Sequence, residues 1–229
     1  HTGYLFSSTS ELFSYDCVVF TGQYSASRTD VGTTYMGLTK EMFSTGDDNF
    51  EVDFRVTDGY IEITKLAVTV TITGSTDSVE YDGKEHSVTG YGFAASDALY
   101  QEAYTTFTGT ASASRADVGT SYMGLTQDMF SNGNANFDVT YDVTDGSVTI
   151  DRMAVTVTIT GNTGTWEYDG TERTVSGYVL EASDELYLES YVNFTGTASV
   201  GRTVVGTSAM GLAASQFSNT GGNFDVTFK

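Results

Sequence analysis

Three arginines are the first residues to weigh as chemistry. Arg28, Arg115 and Arg202 stand 87 positions apart. A guanidinium fixed in so acidic a chain predicts an ion pair with a carboxylate, or a stem packed on aromatic rings. Other reactive groups do not recur. A Ser-His-Asp or Cys-His set needs a histidine base, yet 87 positions on from His1 and His86 stand Val88 and Arg173. Gly119-Thr120-Ser121-Tyr122-Met123-Gly124 misses the Gly-x-Ser-x-Gly spacing by one residue, and no glycine-rich loop carries a phosphate-binding lysine. No catalytic or cofactor-binding residue is expected, and no binding residue can be singled out.

Carboxylates are plentiful, so calcium needs a test. It takes about six to eight clustered oxygens. Asp47-Asp48-Asn49 has the right types, but its counterparts are Asn134-Ala135-Asn136 and Gly221-Gly222-Asn223. No metal site shared by the copies can rest on those aspartates. The turn aspartates Asp58, Asp82, Asp145 and Asp169 are read as Asx-turn formers. An isopeptide cross-link needs a recurring lysine, but Lys40, Lys65, Lys84 and Lys229 face Gln127, Arg152, Thr171 and Asp142 in neighbouring copies. Cys17 replaces an aromatic, with Tyr104 and Tyr191 as counterparts, and is read as a buried thiol. The sequon-like Asn193-Phe194-Thr195 has Thr106 and Val19 in place of its asparagine, so chance accounts for it.

The elements that carry these residues repeat without insertion. Leu66-Ala67-Val68-Thr69-Val70-Thr71-Ile72-Thr73-Gly74 returns as Met153-Ala154-Val155-Thr156-Val157-Thr158-Ile159-Thr160-Gly161. Phe20-Thr21-Gly22 and Met36-Gly37-Leu38 each recur twice more at the same interval. Fixed-period self-similarity means an array of one structural unit. The copies fall at 1–65, lacking its first strands; 66–152, complete; and 153–229, lacking its last hairpin strand. This framing predicts a slice of a longer array, or a neighbouring chain that supplies the missing strand.

Within a copy, apolar and polar residues alternate with period two at 66–74, 137–144 and 147–150, the signature of half-buried strands. Asp145-Gly146 and Asp58-Gly59 between such runs predict hairpins. Leu125, Met129 and Phe130 predict one short helix per copy. The fold class expected is all-β: tandem small immunoglobulin-like β-sandwich modules with one short helix each, or a β-grasp-like sheet as runner-up. Ile150-Asp151-Arg152-Met153 joins two copies without a Pro or Gly/Ser linker, which predicts a semi-rigid rod.

Composition excludes several functions. The formal charge is −20 with only 10 Lys and Arg, so the basic stripe that nucleic acid requires is missing. An anionic membrane would repel the chain, and no apolar run approaches the roughly 20 residues of a spanning helix. A single cysteine leaves the compartment open.

Read in order, Tyr81-Asp82-Gly83, Val118-Gly119-Thr120-Ser121-Tyr122, Asn136-Phe137-Asp138-Val139-Thr140-Tyr141 and Thr144-Asp145-Gly146-Ser147-Val148-Thr149-Ile150 resemble the MBG/YDG repeats of bacterial surface proteins. The resemblance spans the complete copy and both truncated ones. The third copy departs with Ala209 for Tyr35 and Tyr122, and Gly201 for Ser27 and Ser114. It implies tandem modules of extracellular, cell-surface or secreted adhesin-like proteins, with no catalytic residues and no set ligand. The function expected is therefore a non-catalytic stalk. The alternatives are modules that bind host or mucin-type glycans, or proteins, by avidity, and a fibre subunit that self-associates by donor-strand exchange.

Overall fold

A computed structural model describes residues 3–229; His1 lies outside the described residues. The described chain is all-β, built of short strands and one-turn 3-10 segments, with no α-helix among them. Among the described residues no helix is long and apolar enough to cross a membrane. The chain forms two compact units. One gathers the chain up to Val70 with Ala94–Phe107 and Phe130–Asp142; the other holds Thr71–Phe93, Thr108–Met129 and Val143–Lys229.

The alternating strand Leu66–Gly74 buries one face from Val68 onward, with Leu66 at its start still exposed. Val68, Val70 and Ile72 are 3%, 0% and 0% exposed, while the intervening threonines face outward. Side chains alternate across a strand, and each such burial stabilises by about 1.5–3 kcal/mol. The strand lies in the middle of a three-stranded sheet, with Phe137–Thr144 on one side and Tyr91–Ala95 on the other. The third copy shows the register. Met153–Gly161 runs parallel to Phe224–Phe228 (Met153 opposite Phe224) and antiparallel to Tyr178–Ala182 (Val157 opposite Ala182).

A second sheet sets Ser147–Asp151 between Gly119–Tyr122, antiparallel, and Thr76–Glu80, parallel. In the first copy the matching sheet has two strands only, Gly32–Tyr35 and Tyr60–Ile63. A third pairing explains Phe-Thr-Gly. Phe20, Phe107 and Phe194 sit opposite Phe43, Phe130 and Phe217, with ring centroids 5.0, 4.9 and 4.7 Å apart. The following threonine N–H then donates to the carbonyl of residue 42, 129 or 216 at 2.9 Å in each copy.

Three expectations need correction. The single short helix is a 3-10 turn, Gln127–Met129, and each copy carries a second one, such as Glu102–Tyr104. Leu125 and Phe130 are buried from either side of that turn, so their spacing mimicked a helical face. Asp145-Gly146 closes no hairpin either. The strands it joins belong to different sheets, so the turn is a corner. Here Gly74 and Gly146 meet backbone to backbone: a Cβ on Gly74 would fall 2.2 Å from the nitrogen of Gly146. Asp145 Oδ2 and Oδ1 accept the N–H groups of Gly124 and Leu125 at 3.0 and 2.9 Å, and Asp58 does the same for Gly37 and Leu38. Met-Gly-Leu therefore recurs as the partner of that aspartate. Lastly, Cys17 is half-buried rather than buried.

Candidate functional site

The recurring arginines build a loop. Arg115 makes no ion pair among the described residues; its Nε donates to the carbonyl of Asp117 at 2.7 Å, its Nη2 to that of Val118 at 2.6 Å, and its Nη1 to the Ser121 hydroxyl at 3.4 Å. Arg28 and Arg202 repeat the pattern on Asp30, Val31 and Thr34, and on Val204, Val205 and Ser208. The expected carboxylate partner is thus replaced by main-chain oxygens, which suit the five fixed donors of a guanidinium. Val-Gly-Thr follows from this. Gly32, Gly119 and Gly206 hold φ near the left-handed side at 129°, 130° and 135°. A Cβ at Gly119 would sit 2.3 Å from Arg115 Nη2. Only glycine lets the guanidinium lie against the backbone there.

That loop presents an outward clamp. The Val118 N–H donates to Asn223 Oδ1 at 2.9 Å, and Asn223 Nδ2 donates to Asp117 Oδ1 at 2.8 Å. Both ends of one carboxamide are used, across 106 positions of sequence. The Asn223 carbonyl also accepts the Met153 N–H at 3.1 Å, fixing the start of the third copy's opening strand. Beside it, Tyr81 meets the Phe224 ring edge-on at 5.4 Å and 83°, and Gly83 faces Leu186. Phe224 in turn belongs to a core with Val155, Val157 and Tyr187. The previous joint matches: Val31 N–H and Asp30 hold Asn136, each at 2.8 Å, and the Leu66 N–H donates to the Asn136 carbonyl at 3.0 Å. The motifs Tyr-Asp-Gly and Val-Gly-Thr of one copy thus converge on Asn-Phe of the next. The signal lay in the stretch weighed for calcium: of 47–49, 134–136 and 221–223, only the asparagine is constant.

The Tyr-Asp-Gly turns behave as expected. Asp82 and Asp169 each accept the N–H two residues on, at 3.0 Å. The hydroxyl and N–H of Thr171, then Arg173, hold the Asp169 carboxyl down at about 2. A hydrogen bond from His86 likewise holds Asp82 below the usual carboxylate range.

Other candidates stay apart. His86 Nε2 sits 3.0 Å from Asp82 on the same turn, with no nucleophile bonded to it. Among the described residues no three His, Cys, Asp or Glu side chains group as a metal site. Asp47 is engaged by its own turn through the N–H and side-chain amide of Asn49. All four lysines are exposed, which does not suit a buried isopeptide. Exposed aromatics include Tyr35 and Tyr60, 63% and 55% exposed with centroids 5.7 Å apart. The equivalent pairs are Tyr122 with Ser147, and Ala209 in the third copy, so the ring pair is not common to the array.

Compared with family models, curated proteins and solved structures, the chain matches none of them.

Proposed function

We propose that the chain is a non-catalytic stalk segment of an extracellular bacterial adhesin-like protein, built from MBG/YDG-type modules in tandem. The carrying observation is the clamp. One carboxamide locks Asn136 to Asp30 and Val31, and another locks Asn223 to Asp117 and Val118, with the same partners and atoms. The polar surface outside the joint changes from copy to copy while the joint chemistry holds. A spacer needs that; an array of binding sites needs the reverse. For the module, the immunoglobulin-like sandwich and the β-grasp-like sheet both remain readings. An opening strand flanked by one parallel and one antiparallel neighbour favours the second.

The exposed Tyr35–Tyr60 pair supports the alternative of glycan binding by ring stacking, with host or mucin-type glycans as partners. The test is single-molecule pulling of the chain, paired with a glycan array. Force resistance that falls in Asn136→Ala and Asn223→Ala, with a flat array, supports the stalk. Saturable glycan binding lost in Tyr35→Ala, with force resistance unchanged in the asparagine variants, overturns it.

A further inference from the structure

We propose that the first copy carries an oxidative cross-linking site, at which Tyr35 and Tyr60 couple into a dityrosine when a peroxidase-type one-electron oxidant acts on the chain. The site follows from strand register. Tyr35, at the end of Gly32–Tyr35, lies directly opposite Tyr60, at the start of Tyr60–Ile63. One step on, the Met36 N–H donates to the Gly59 carbonyl at 2.8 Å. Hydrogen-bonded and non-hydrogen-bonded pairs alternate along an antiparallel ladder, and the second kind brings its side chains closer. Tyr35 and Tyr60 fall on the closer kind, with ring centroids 5.7 Å apart and planes at 55°.

Both rings can be reached, being 63% and 55% exposed. The same face is outward in the complete copy, where Tyr122 is 69% exposed although its sheet has all three strands. Exposure is therefore a property of that sheet face. Other tyrosine pairs lack it. In Tyr100–Tyr104 and Tyr187–Tyr191, each at 5.7 Å, the first ring is only 3% or 4% exposed. Tyr4 stacks on Tyr15 at 5.6 Å but is half-buried against Phe20 and Phe43. The complete copy also supplies an internal contrast, because Tyr122 faces Ser147 and has no phenol opposite it.

The chemistry needs nothing else from the protein. Each phenol gives one electron and its O–H proton to the oxidant. The two phenoxyl radicals then join through ring carbons beside their oxygens, forming one carbon–carbon bond. Each joined carbon passes its hydrogen to the oxygen of its own ring, which restores both phenols. Hydrogen peroxide, the terminal acceptor, takes up the two electrons and two protons and leaves as two waters. Holding the partners side by side replaces a bimolecular encounter with an intramolecular one. The charge of −20 meanwhile keeps separate chains apart.

The bond braces the first joint. Gly32–Tyr35 emerges from the Arg28 loop, where the Val31 N–H and Asp30 hold the Asn136 side chain. Tyr60–Ile63 leads into Leu66, whose N–H donates to the Asn136 carbonyl. A cross-link thus ties together the two strands that grip one residue of the next copy. The site rests on register and exposure, and it stands whether or not the array is a stalk.

The test is treatment of the intact, dilute chain with a haem peroxidase and hydrogen peroxide, followed by mass-spectrometric mapping of linked peptides. A monomer is expected, carrying a dominant peptide pair joined at Tyr35 and Tyr60 and lighter by two hydrogen atoms. Tyr35→Phe and Tyr60→Phe keep the ring packing and remove the phenol. Each should lose that pair and lower the monomer's dityrosine emission about tenfold, because the positioned partner is gone. Ser147→Tyr sets a phenol opposite Tyr122 and should gain a second linked pair, at positions 122 and 147. Linkage through other tyrosines with none between Tyr35 and Tyr60 overturns the proposal. So does an equal yield of that pair from the chain unfolded in urea, since the ladder then does not position the rings. A folded Ser147→Tyr chain without the second pair overturns it as well.

Discussion

Asn223→Ala is the sharpest perturbation of the joint. It removes the acceptor of the Val118 N–H at 2.9 Å and the donor to Asp117 at 2.8 Å, leaving the backbone bond from Met153 in place. A neutral hydrogen bond contributes about 1 kcal/mol net, and one to a charged group somewhat more. Asp117 is exposed, so its share is discounted to about 1 kcal/mol as well. The expected loss is about 2 kcal/mol. For a chain of this length that is roughly 4–8 °C in melting temperature if unfolding is cooperative. Urea denaturation read by intrinsic fluorescence measures it, and a double-mutant cycle with Asp117→Ala should show a coupling of about 0.5–1.5 kcal/mol. Asn49→Ala is the internal control. It occupies the same repeat position, but its side chain bonds only Asp47, so a change within about 0.5 kcal/mol is expected. Equal effects at Asn49 and Asn223, or additive behaviour of Asn223 and Asp117, would refute the clamp.

Gly119→Ala forces a side chain into left-handed backbone at φ 130° and against the Arg115 guanidinium; a loss of about 2–3 kcal/mol in urea denaturation is expected. Gly206→Ala carries the same strain, but its loop holds no asparagine, so it should lose less. Thr105→Val with Tyr141→Phe removes the cluster in which the hydroxyls of Tyr100, Thr105 and Tyr141 lie 3.0–3.2 Å apart. Val192 and Phe228 fill those places in the third copy, so the melt should stay within about 1 kcal/mol of the parent. In the parent, burial pushes the Tyr141 phenol up to about 12. A raised folded value stabilises below the unfolded pKa near 10 and is lost as pH rises through about 12, so the double variant should lose less stability across that window. Asp169, held at about 2, works in the opposite sense: its turn is fully stabilised above the unfolded value near 4 and loosens as pH falls toward 2. Carbon-13 carboxyl titration should find it protonating after unperturbed aspartates, and Arg173→Ala should raise its midpoint.

What could be read from the sequence was whatever depends on near neighbours. Val68, Val70 and Ile72 announce a strand because alternation is a local property, and the structure buries them. The Asx turns at Asp82 and Asp169 are local too. Failure begins where a distant partner decides. Asp145-Gly146 has the composition of a hairpin turn, but Phe137–Thr144 is taken by the opening strand in one sheet and Ser147–Asp151 by Thr76–Glu80 in another. The arginines were conspicuous, yet their partners are carbonyls, which every residue carries and no composition reveals. The clamp was half visible: Asn49, Asn136 and Asn223 are constant among changing neighbours, but a contact across 105 positions cannot be seen along the chain.

The chemistry of the joint also answers a problem set by the charge. At −20, with few basic residues to spare, copies of this repeat repel one another, and ion pairs could not hold every junction. The four ion pairs among the described residues all join side chains two or four positions apart in the sequence. What crosses the joint is a carboxamide, an aromatic edge on a ring, a leucine against a glycine, and the Arg152 guanidinium, whose Nε donates to the Gly222 carbonyl at 3.2 Å rather than to a carboxylate. The ring and leucine contacts carry no charge, and the carboxamide brings no counter-charge for salt to screen. The arginine that could have served as a counter-ion is instead turned inward to shape the loop. Its charge is spent locally, on three or four carbonyl and hydroxyl oxygens, and the specificity of the junction passes to a neutral side chain. The third copy keeps the arginine and the loop but has Val204 where the others have aspartate, and Val204 and Val205 are 66% and 82% exposed. Loop shape and clamp are therefore separable: the arginine and glycine make the first, and the aspartate with the following N–H makes the second.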